Sequence, residues 1–296
     1  MLTTLRIATA LGALAGVAAL SGAAHPAQGT FPGHNGLIVY SSTNHFCDRP
    51  CGRRHIYTVK PNGSHKRRLT GLRDVTNPAW SPSGTQIAFT SFALLVMNAD
   101  GSHVHKIASR AYEPTFAPDC EHLAFRGDNG HGGFAVFVAK TNGKGKHRVV
   151  NNAEEPDWSP NGRKIAFVRP GKLEIYVIDL KSHHLRQLTH LGSSGAAFSP
   201  SWSPNGKKIA FFYSPTSEQQ TDAIVVIRSS GGGRHVAGPR ASGGKPAWSP
   251  SGKRIAYVRG NEDAGRGKLV TINANGSHPR TVTKVGYSGG VSWQSR

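Results

Sequence analysis

The chain has 296 residues, with 36 lysines and arginines against 16 aspartates and glutamates, which gives a formal net charge of +20. This surplus predicts attraction to polyanions, without separating nucleic acid from anionic lipid or wall polymer. Three cysteines are too few to hold a chain of this length together, so a disulfide-built scaffold is excluded.

The first 24 residues are typical of an export signal. Arg6 provides a positive start, residues 7–20 form an apolar stretch of 14 residues, and small residues at 21–24 offer a cleavage site. A transmembrane helix needs about 20 apolar residues, so this stretch is too short to span a bilayer. We expect residues 1–24 to be a signal, residues 25–35 a short lead, and the mature protein to be periplasmic or extracellular without a membrane span. A retained anchor helix is the alternative.

The lead is followed by residues 36–41, which form the first predicted strand. Cys47 and Cys51 lie four residues apart in the next loop, where we predict a disulfide if the compartment is oxidising. Cys120 is left over, at a turn position where the other repeats carry glycine.

A phrase of the form Pro-Xaa-Trp-Ser-Pro-Xaa-Gly-Xaa-Xaa-Ile-Ala-Phe then recurs along the chain. It occupies residues 78–89, 156–167 and 246–257, with a close copy ending at 211 and a degenerate copy at 114–125. Its aromatic positions lie 36 to 46 residues apart and are Trp80, Phe116, Trp158, Trp202 and Trp248. An apolar run follows each phrase, and most of these runs end at a turn such as Asn-Gly, which is a strong hairpin signal. Each unit therefore predicts four short antiparallel strands, A to D, which at this period is typical of propeller blades.

The two ends of the chain complete the count of blades. Residues 36–41 form a strand B with no strand A before it, and residues 291–293 form a strand A with nothing after it. If these segments pair, residues 36–296 form an all-β, six-bladed β-propeller closed by the C-terminal strand, which completes the N-terminal blade.

The repeated phrase resembles the propeller repeat of the TolB family, over essentially all of the chain after the signal. The resemblance implies a six-bladed, exported, protein-binding propeller at the cell envelope. TolB has an α/β domain before its propeller, whereas here only about a dozen residues separate the signal from the first strand. The usual Ser-Pro-Asp-Gly turn also keeps its aspartate only at Asp119. The resemblance therefore implies the fold and a binding role, but not the partner.

Alternating strand direction sorts the turns of a propeller by face: the A–B and C–D turns lie on one face, and the B–C and D–A loops on the other. The first face is predicted to be basic, with Lys66, Arg67, Arg68, Lys144, Lys146, Arg148, Arg163, Lys164, Lys207, Lys208, Lys253 and Arg254. It either binds an anionic polymer or an anionic envelope surface, or consists of solvated turns that keep strand edges from aggregating.

The opposite face collects most of the carboxylates. Glu113 and Glu155 directly precede the strand A prolines, where they would face the mouth of the central channel. We predict that a protein or peptide binds at this mouth, through Tyr112, Glu113, Glu155, Asp157, Lys245 and Tyr287.

Enzymes are the alternative to a binding protein. No His-Glu-Xaa-Xaa-His or phosphate-loop sequence occurs in the chain, so we expect neither catalysis nor a cofactor. The alternative is an enzyme that acts on an acidic polysaccharide, using the mouth carboxylates or a metal held by histidines such as His103 and His105. Arg126-Gly127-Asp128, predicted to lie in a B–C loop, resembles an adhesion tripeptide, but a sequence this short arises easily by chance.

Overall fold

The computed structural model describes residues 33–43, 54–217, 221–242, 244–261, 266–286 and 290–295. The predicted export signal, Cys47, Cys51 and Tyr287 lie outside these residues. The described strands form six four-stranded antiparallel sheets, so the predicted six-bladed propeller is confirmed.

Within each blade, strand A is innermost and strand D outermost. Blade 1 contains β1 (Asn35–Thr43), β2 (Arg54–Val59), β3 (Arg67–Arg68) and the last strand of the chain, β24 (Val291–Ser295). Blade 2 contains β4 (Thr76–Trp80), β5 (Gln86–Ser91), β6 (Ala93–Asn98) and β7 (His105–Ser109). Blade 3 contains β8 (Ala111–Phe116), β9 (His122–Asp128), β10 (Phe134–Lys140) and β11 (His147–Asn151).

The remaining three blades follow in chain order. Blade 4 contains β12 (Glu154–Trp158), β13 (Lys164–Arg169), β14 (Glu174–Asp179) and β15 (Leu185–Gln187). Blade 5 contains β16 (Gly195–Trp202), preceded by one 3-10 turn (Gly192–Ser194), then β17 (Lys208–Pro215), β18 (Ala223–Arg228) and β19 (His235–Pro239). Blade 6 contains β20 (Ala247–Trp248), β21 (Arg254–Asn261), β22 (Arg266–Asn273) and β23 (Arg280–Val285).

The Ser-Pro-Xaa-Gly part of the repeat forms the A–B turn of blades 2, 4, 5 and 6. In blade 4, the Ser159 hydroxyl accepts a hydrogen bond from the Lys164 N–H at 2.9 Å and donates one to Asn161 Oδ1 at 2.8 Å. Gly162 follows with a φ of 70°, a conformation that L side chains rarely adopt. Cys120 takes the equivalent place in blade 3 with a φ of 62°, in agreement with its predicted turn position.

The C-terminal strand closes the ring, as predicted. β24 pairs antiparallel with β1, placing Trp293 opposite Ile38 and Val291 opposite Tyr40. The Gln294 side chain accepts a hydrogen bond from the Leu37 N–H at 3.0 Å and donates one to the Gly84 carbonyl of blade 2 at 2.9 Å. This strand therefore joins the first and last parts of the chain and also contacts the next blade.

The core lies between adjacent blades, because both faces of the central strands carry apolar side chains. One cluster packs Ile175 and Val177 of blade 4 against Trp202 and Phe211 of blade 5. In blade 6, the Trp248 indole N–H donates to the Ser201 carbonyl of blade 5 at 3.0 Å. The repeated tryptophans are therefore packing residues between blades.

Candidate functional site: the mouth of the central channel

A cavity of about 100 Å³ runs along the propeller axis. The first strand of every blade lines it. At the end where these strands begin, each blade contributes one residue to a ring that we call the mouth ring: Asn77, Glu113, Glu155, Ser199, Lys245 and Gly290.

A β-bulge at the start of strand A gives the mouth ring its geometry. In blades 2 to 5 the pairing with strand B shifts register at this point, for example between Glu154 and Asp157. Glu113, Glu155 and Ser199 have φ values of 55°, 54° and 50°. Residues other than glycine seldom adopt this conformation, and bulges commonly re-aim side chains next to functional sites.

The bulges are connected from blade to blade by carboxylates. Glu113 Oε2 accepts a hydrogen bond from the Glu155 N–H at 2.9 Å. The Glu155 carboxylate in turn accepts from the Ser199 N–H at 2.6 Å and from its hydroxyl at 3.0 Å. The two predicted glutamates therefore also have a structural role, linking blades 3, 4 and 5.

Burial changes the acidity of this pair. Burial, and secondly the neighbouring Glu155 charge, raise the pKa of Glu113 from 4.5 to about 7, against the opposing effect of Arg126. Burial also raises the pKa of Glu155, although its hydrogen bonds from Ser199 oppose the shift. Near neutral pH, Glu113 therefore exchanges a proton readily.

Asp157 and Lys245 form an ion pair that reaches from blade 4 to blade 6. Lys245 Nζ lies 2.5 Å from Asp157 Oδ1 and 3.2 Å from the Pro156 carbonyl. Asp157 also accepts hydrogen bonds from the Trp202 N–H at 2.8 Å and the Thr115 hydroxyl at 3.2 Å. This carboxylate therefore contacts blades 3, 5 and 6.

Arg126 belongs to the same region, although it was not among the predicted site residues. Its Nε lies 3.4 Å from Glu113 Oε2, and its Nη1 lies 3.5 Å from Glu154 Oε2. The guanidinium also lies 5.1 Å from the ring centre of Tyr112 and 4.3 Å from that of Phe134. Arg126-Gly127-Asp128 was expected in a loop, but it ends strand β9, and the Arg126 side chain is only 20% exposed. This tripeptide is therefore not displayed as an adhesion loop.

The predicted site residues can now be located. Glu113, Glu155, Asp157 and Lys245 all line the cavity, while Tyr112 packs beside it against Arg126. Tyr287 lies outside the described residues.

Exposed apolar side chains on the face of the mouth ring were also missed. Phe92 occupies the tip of the β5–β6 hairpin, with 84% of its surface exposed and a φ of 56°. The neighbouring Ser91 hydroxyl donates to the Arg73 carbonyl at 3.1 Å, which fixes the hairpin beside the loop that carries Leu72. Leu72, Phe134 and Leu173 are each between 37% and 39% exposed.

The structure places the predicted basic residues at the A–B and C–D turns and the adjoining strand ends. Arg254 is held internally, because its guanidinium donates to Asn273 Oδ1 and to the Thr271 and His278 carbonyls at 2.9–3.0 Å. Lys66 and Lys146 cover the rings of Tyr57 and Phe137. Arg67 and Arg68 donate to the Asp100 and Thr70 carbonyls, and both side chains remain exposed. The other predicted members of the face are exposed: Lys144, Arg148, Arg163, Lys164, Lys207, Lys208 and Lys253.

Within the described ranges, no group of three His, Cys, Asp or Glu side chains could hold a metal ion. No helix in the part of the chain that the structure describes is long and apolar enough to cross a membrane.

Comparison with known proteins gives a consistent result. Residues 92–294 match the family model of the TolB beta propeller domain. TolB from Acinetobacter baumannii is 21% identical with a TM-score of 0.75, and the match covers 88% of this chain and 67% of that one. A protein assigned as TolB from Agrobacterium tumefaciens is 20% identical with a TM-score of 0.68, over 87% and 92% of the two chains.

A more distant likeness has the same architecture. A chain in the structure of a nidogen/laminin complex is 10% identical with a TM-score of 0.65, over 88% of this chain and 98% of that one. At these identities the solved structures show a shared fold only. No curated protein matches the chain.

Proposed function

Because the chain belongs to the TolB β-propeller family, we propose that it is an exported binding protein that takes a protein or peptide at the mouth of its central channel. The observation that carries the proposal is Phe92. An aromatic side chain that is 84% exposed in a left-handed conformation costs both solvation and backbone energy. A binding partner that covers Phe92 would offset this cost. Phe92 also lies beside the loop that carries Leu72, and exposed apolar groups framed by polar ones are typical of interaction sites.

The charges around the mouth indicate what the partner should offer. Four carboxyl groups, on Glu113, Glu154, Glu155 and Asp157, lie near the two cations of Arg126 and Lys245. Burial raises the pKa of Glu113 and Glu155, and an approaching positive charge would favour their ionised forms. This arrangement favours a segment that presents a positive charge to the mouth and an apolar side chain to Phe92. Aromatic anchors dominate the energetics of many protein interfaces, so Phe92 is the residue whose loss should weaken binding most.

A selection experiment tests this proposal. A random-peptide phage library is selected on the immobilised protein, and enriched peptides are synthesised and titrated by calorimetry. We expect peptides with basic and apolar residues, whose affinity falls at least tenfold in Phe92→Ser. The matched control is Val236→Ser, which removes a side chain that is 55% exposed at the opposite face and should leave affinity unchanged.

Two outcomes would contradict the proposal. One is the absence of any enriched peptide, and the other is equal affinity for the wild type and Phe92→Ser. Release of sugar fragments from a polyuronate, abolished by Glu155→Gln, would instead favour the enzymatic alternative.

A further inference from the structure

The face formed by the A–B and C–D turns, which we call the basic face, carries a large surplus of positive charge. Among the described residues, twenty lysines and arginines lie at these turns or the adjoining strand ends. The carboxylates there are Asp100, Asp119, Glu121 and Asp179. The opposite face has twelve basic and eight acidic residues among those described, so its carboxylates are a local feature of the mouth.

Few charges of the basic face are offset within the described part of the protein: Asp100 and Asp179 act on Arg67 and Lys164 without forming an ion pair. In the described part of the chain, no lysine or arginine of this face forms an ion pair with a carboxylate, since the ion pair found there joins His122 to Asp119. Exposed like charges without partners repel one another, so they favour binding of a counter-charged ligand.

A groove between blades 4 and 5 offers one concrete subsite. It has a volume of about 370 Å³. Its polar lining includes Asn161, Lys164, Arg186 and Asn205, and its apolar lining is Pro160, Val177, Trp202 and Pro204. Arg186 donates to the Ser229 and Ser230 carbonyls of blade 5 at 2.7 and 3.0 Å, which holds its guanidinium at the groove.

The two asparagines add neutral donors to the groove. Each accepts hydrogen bonds through Oδ1 from its own turn: Asn161 from Ser159 and Arg163, and Asn205 from Ser203 and Lys207. The oxygens are therefore occupied, and the amide N–H groups are the remaining hydrogen-bonding atoms. Lys164 lies across the strand pair from Asp179, which offsets part of its charge. The groove is thus rich in donors from two blades, which suits an anionic group.

Among the residues described, the basic face has no exposed aromatic side chain on which a base or a sugar ring could stack, and no apolar patch that could enter a membrane. Its exposed large apolar side chains, among the residues described, are Val104, Leu185 and Val236, and none is aromatic. The nearby rings of Phe137 and Tyr213 are covered by Lys146 and Arg234 at 4.5 and 4.2 Å. Single-stranded nucleic acids are bound largely by stacking on exposed aromatic side chains, which this face does not offer. Membrane-surface anchors use Trp, Phe and Leu on one face of a helix, which these turns do not provide.

We propose that the basic face binds a linear polymer whose charge lies in phosphate groups along its backbone, with the groove between blades 4 and 5 as one subsite. The recurrence of basic A–B turns in blades 4, 5 and 6 matches a ligand that presents the same anionic group repeatedly. This binding is independent of the peptide site, because it uses the other end of every strand.

Two triple variants with the same loss of charge test the proposal. Lys164→Ser, Lys207→Ser and Lys253→Ser together remove one exposed lysine from each of three A–B turns. Lys172→Ser, Lys268→Ser and Lys284→Ser together remove three exposed lysines from the opposite face. End-labelled linear polyphosphate is titrated with each full-length protein by fluorescence anisotropy, at salt concentrations from about 50 to about 200 mM.

We expect the first variant to lose at least tenfold in affinity at low salt, and its slope of log K against log salt to fall in magnitude by about 2, since each single-strand phosphate contact contributes about 0.7. The control should stay within about twofold of the wild type, because its lysines lie on the other face. Equal losses in both variants would show that binding follows net charge alone, and would overturn the proposal. Absence of binding at low salt, or tighter binding of duplex DNA or phosphatidylserine vesicles than of polyphosphate, would also overturn it. Retained binding of the mouth peptide by both variants would show that the two sites are separate.

Discussion

Replacing Glu113 by glutamine should change how the stability of the propeller depends on pH. Glutamine keeps an oxygen that accepts the Glu155 N–H, so the link between blades 3 and 4 is preserved while the titrating proton is removed. The side chain is only 18% exposed, which makes its burial the main cause of its raised pKa.

The size of this effect on stability follows from the shift in the pKa of Glu113. A rise of the Glu113 pKa from 4.5 to about 7 corresponds to roughly 3 kcal/mol of linked free energy. Because the folded protein holds this proton more tightly than the unfolded chain does, the stabilisation is fully present below about pH 4.5. It is lost as the pH rises through about 7.

The comparison is made by urea unfolding of the wild type and Glu113→Gln near pH 5 and near pH 8.5. We expect similar free energies of unfolding at the lower pH, and a variant more stable than the wild type by about 1–3 kcal/mol at the higher pH. Glu121→Gln, at an exposed turn, is the matched control and should differ by less than about 0.5 kcal/mol at both pH values. The difference in free energy of unfolding between Glu113→Gln and the wild type should therefore depend on pH. A difference that does not change with pH, or that reverses sign, would refute the raised pKa of Glu113.

Three further predictions concern the closure of the ring, the ion pair at the mouth and one A–B turn. Truncation of residues 289–296 should greatly lower the melting temperature, and Trp293→Ala alone should cost about 3–5 kcal/mol because its indole is buried; calorimetry showing unchanged melting would contradict ring closure. Lys245→Met should cost about 3 kcal/mol in urea unfolding by leaving Asp157 without its cation, and adding Asp157→Asn should recover part of the loss; a loss unaltered by the second change would contradict this. Cys120→Gly should raise the free energy of unfolding by roughly 0.5–1 kcal/mol, because glycine adopts the left-handed backbone conformation of this position without strain, and Cys120→Ala should not raise it. Equal effects of the two substitutions would contradict the proposed strain at Cys120.

The repeat made the blades predictable because it encodes local geometry. The serine and glycine of the A–B turns in blades 2, 4, 5 and 6 are required by hydrogen bonds and φ values that recur in these four copies, as at Ser159 and Gly162. Ring closure could also be inferred, since unpaired strands at the two ends of the chain have complementary places in one sheet. Glu113 and Glu155 could be placed at the mouth because their position before the strand A proline is fixed by the same repeat.

Other features of the site depend on contacts that the repeat does not encode. The bulge that turns Glu113 toward the Glu155 N–H lies directly before the strand A proline, at residues of several types, so the repeat gives its place but not its left-handed conformation. Arg126 appeared as part of a tripeptide, because its pairing with Glu113 and Glu154 depends on the packing of blades 3 and 4. Phe92 was not among the predicted site residues, since a hairpin tip of one residue leaves no turn signal in the sequence. Arg254 was predicted as a surface charge, because the sequence does not show the four acceptors within blade 6 to which its guanidinium donates.

The claim that a partner binds at the channel mouth is tested most directly by site-specific photocrosslinking. A photoreactive amino acid replaces either Phe92 or Val236, which lie at opposite ends of the strands, and each protein is irradiated with a peptide selected on the wild type. We expect a covalent adduct from position 92 and none from position 236. Crosslinking from position 236, or from neither position while binding persists, would contradict the proposed site.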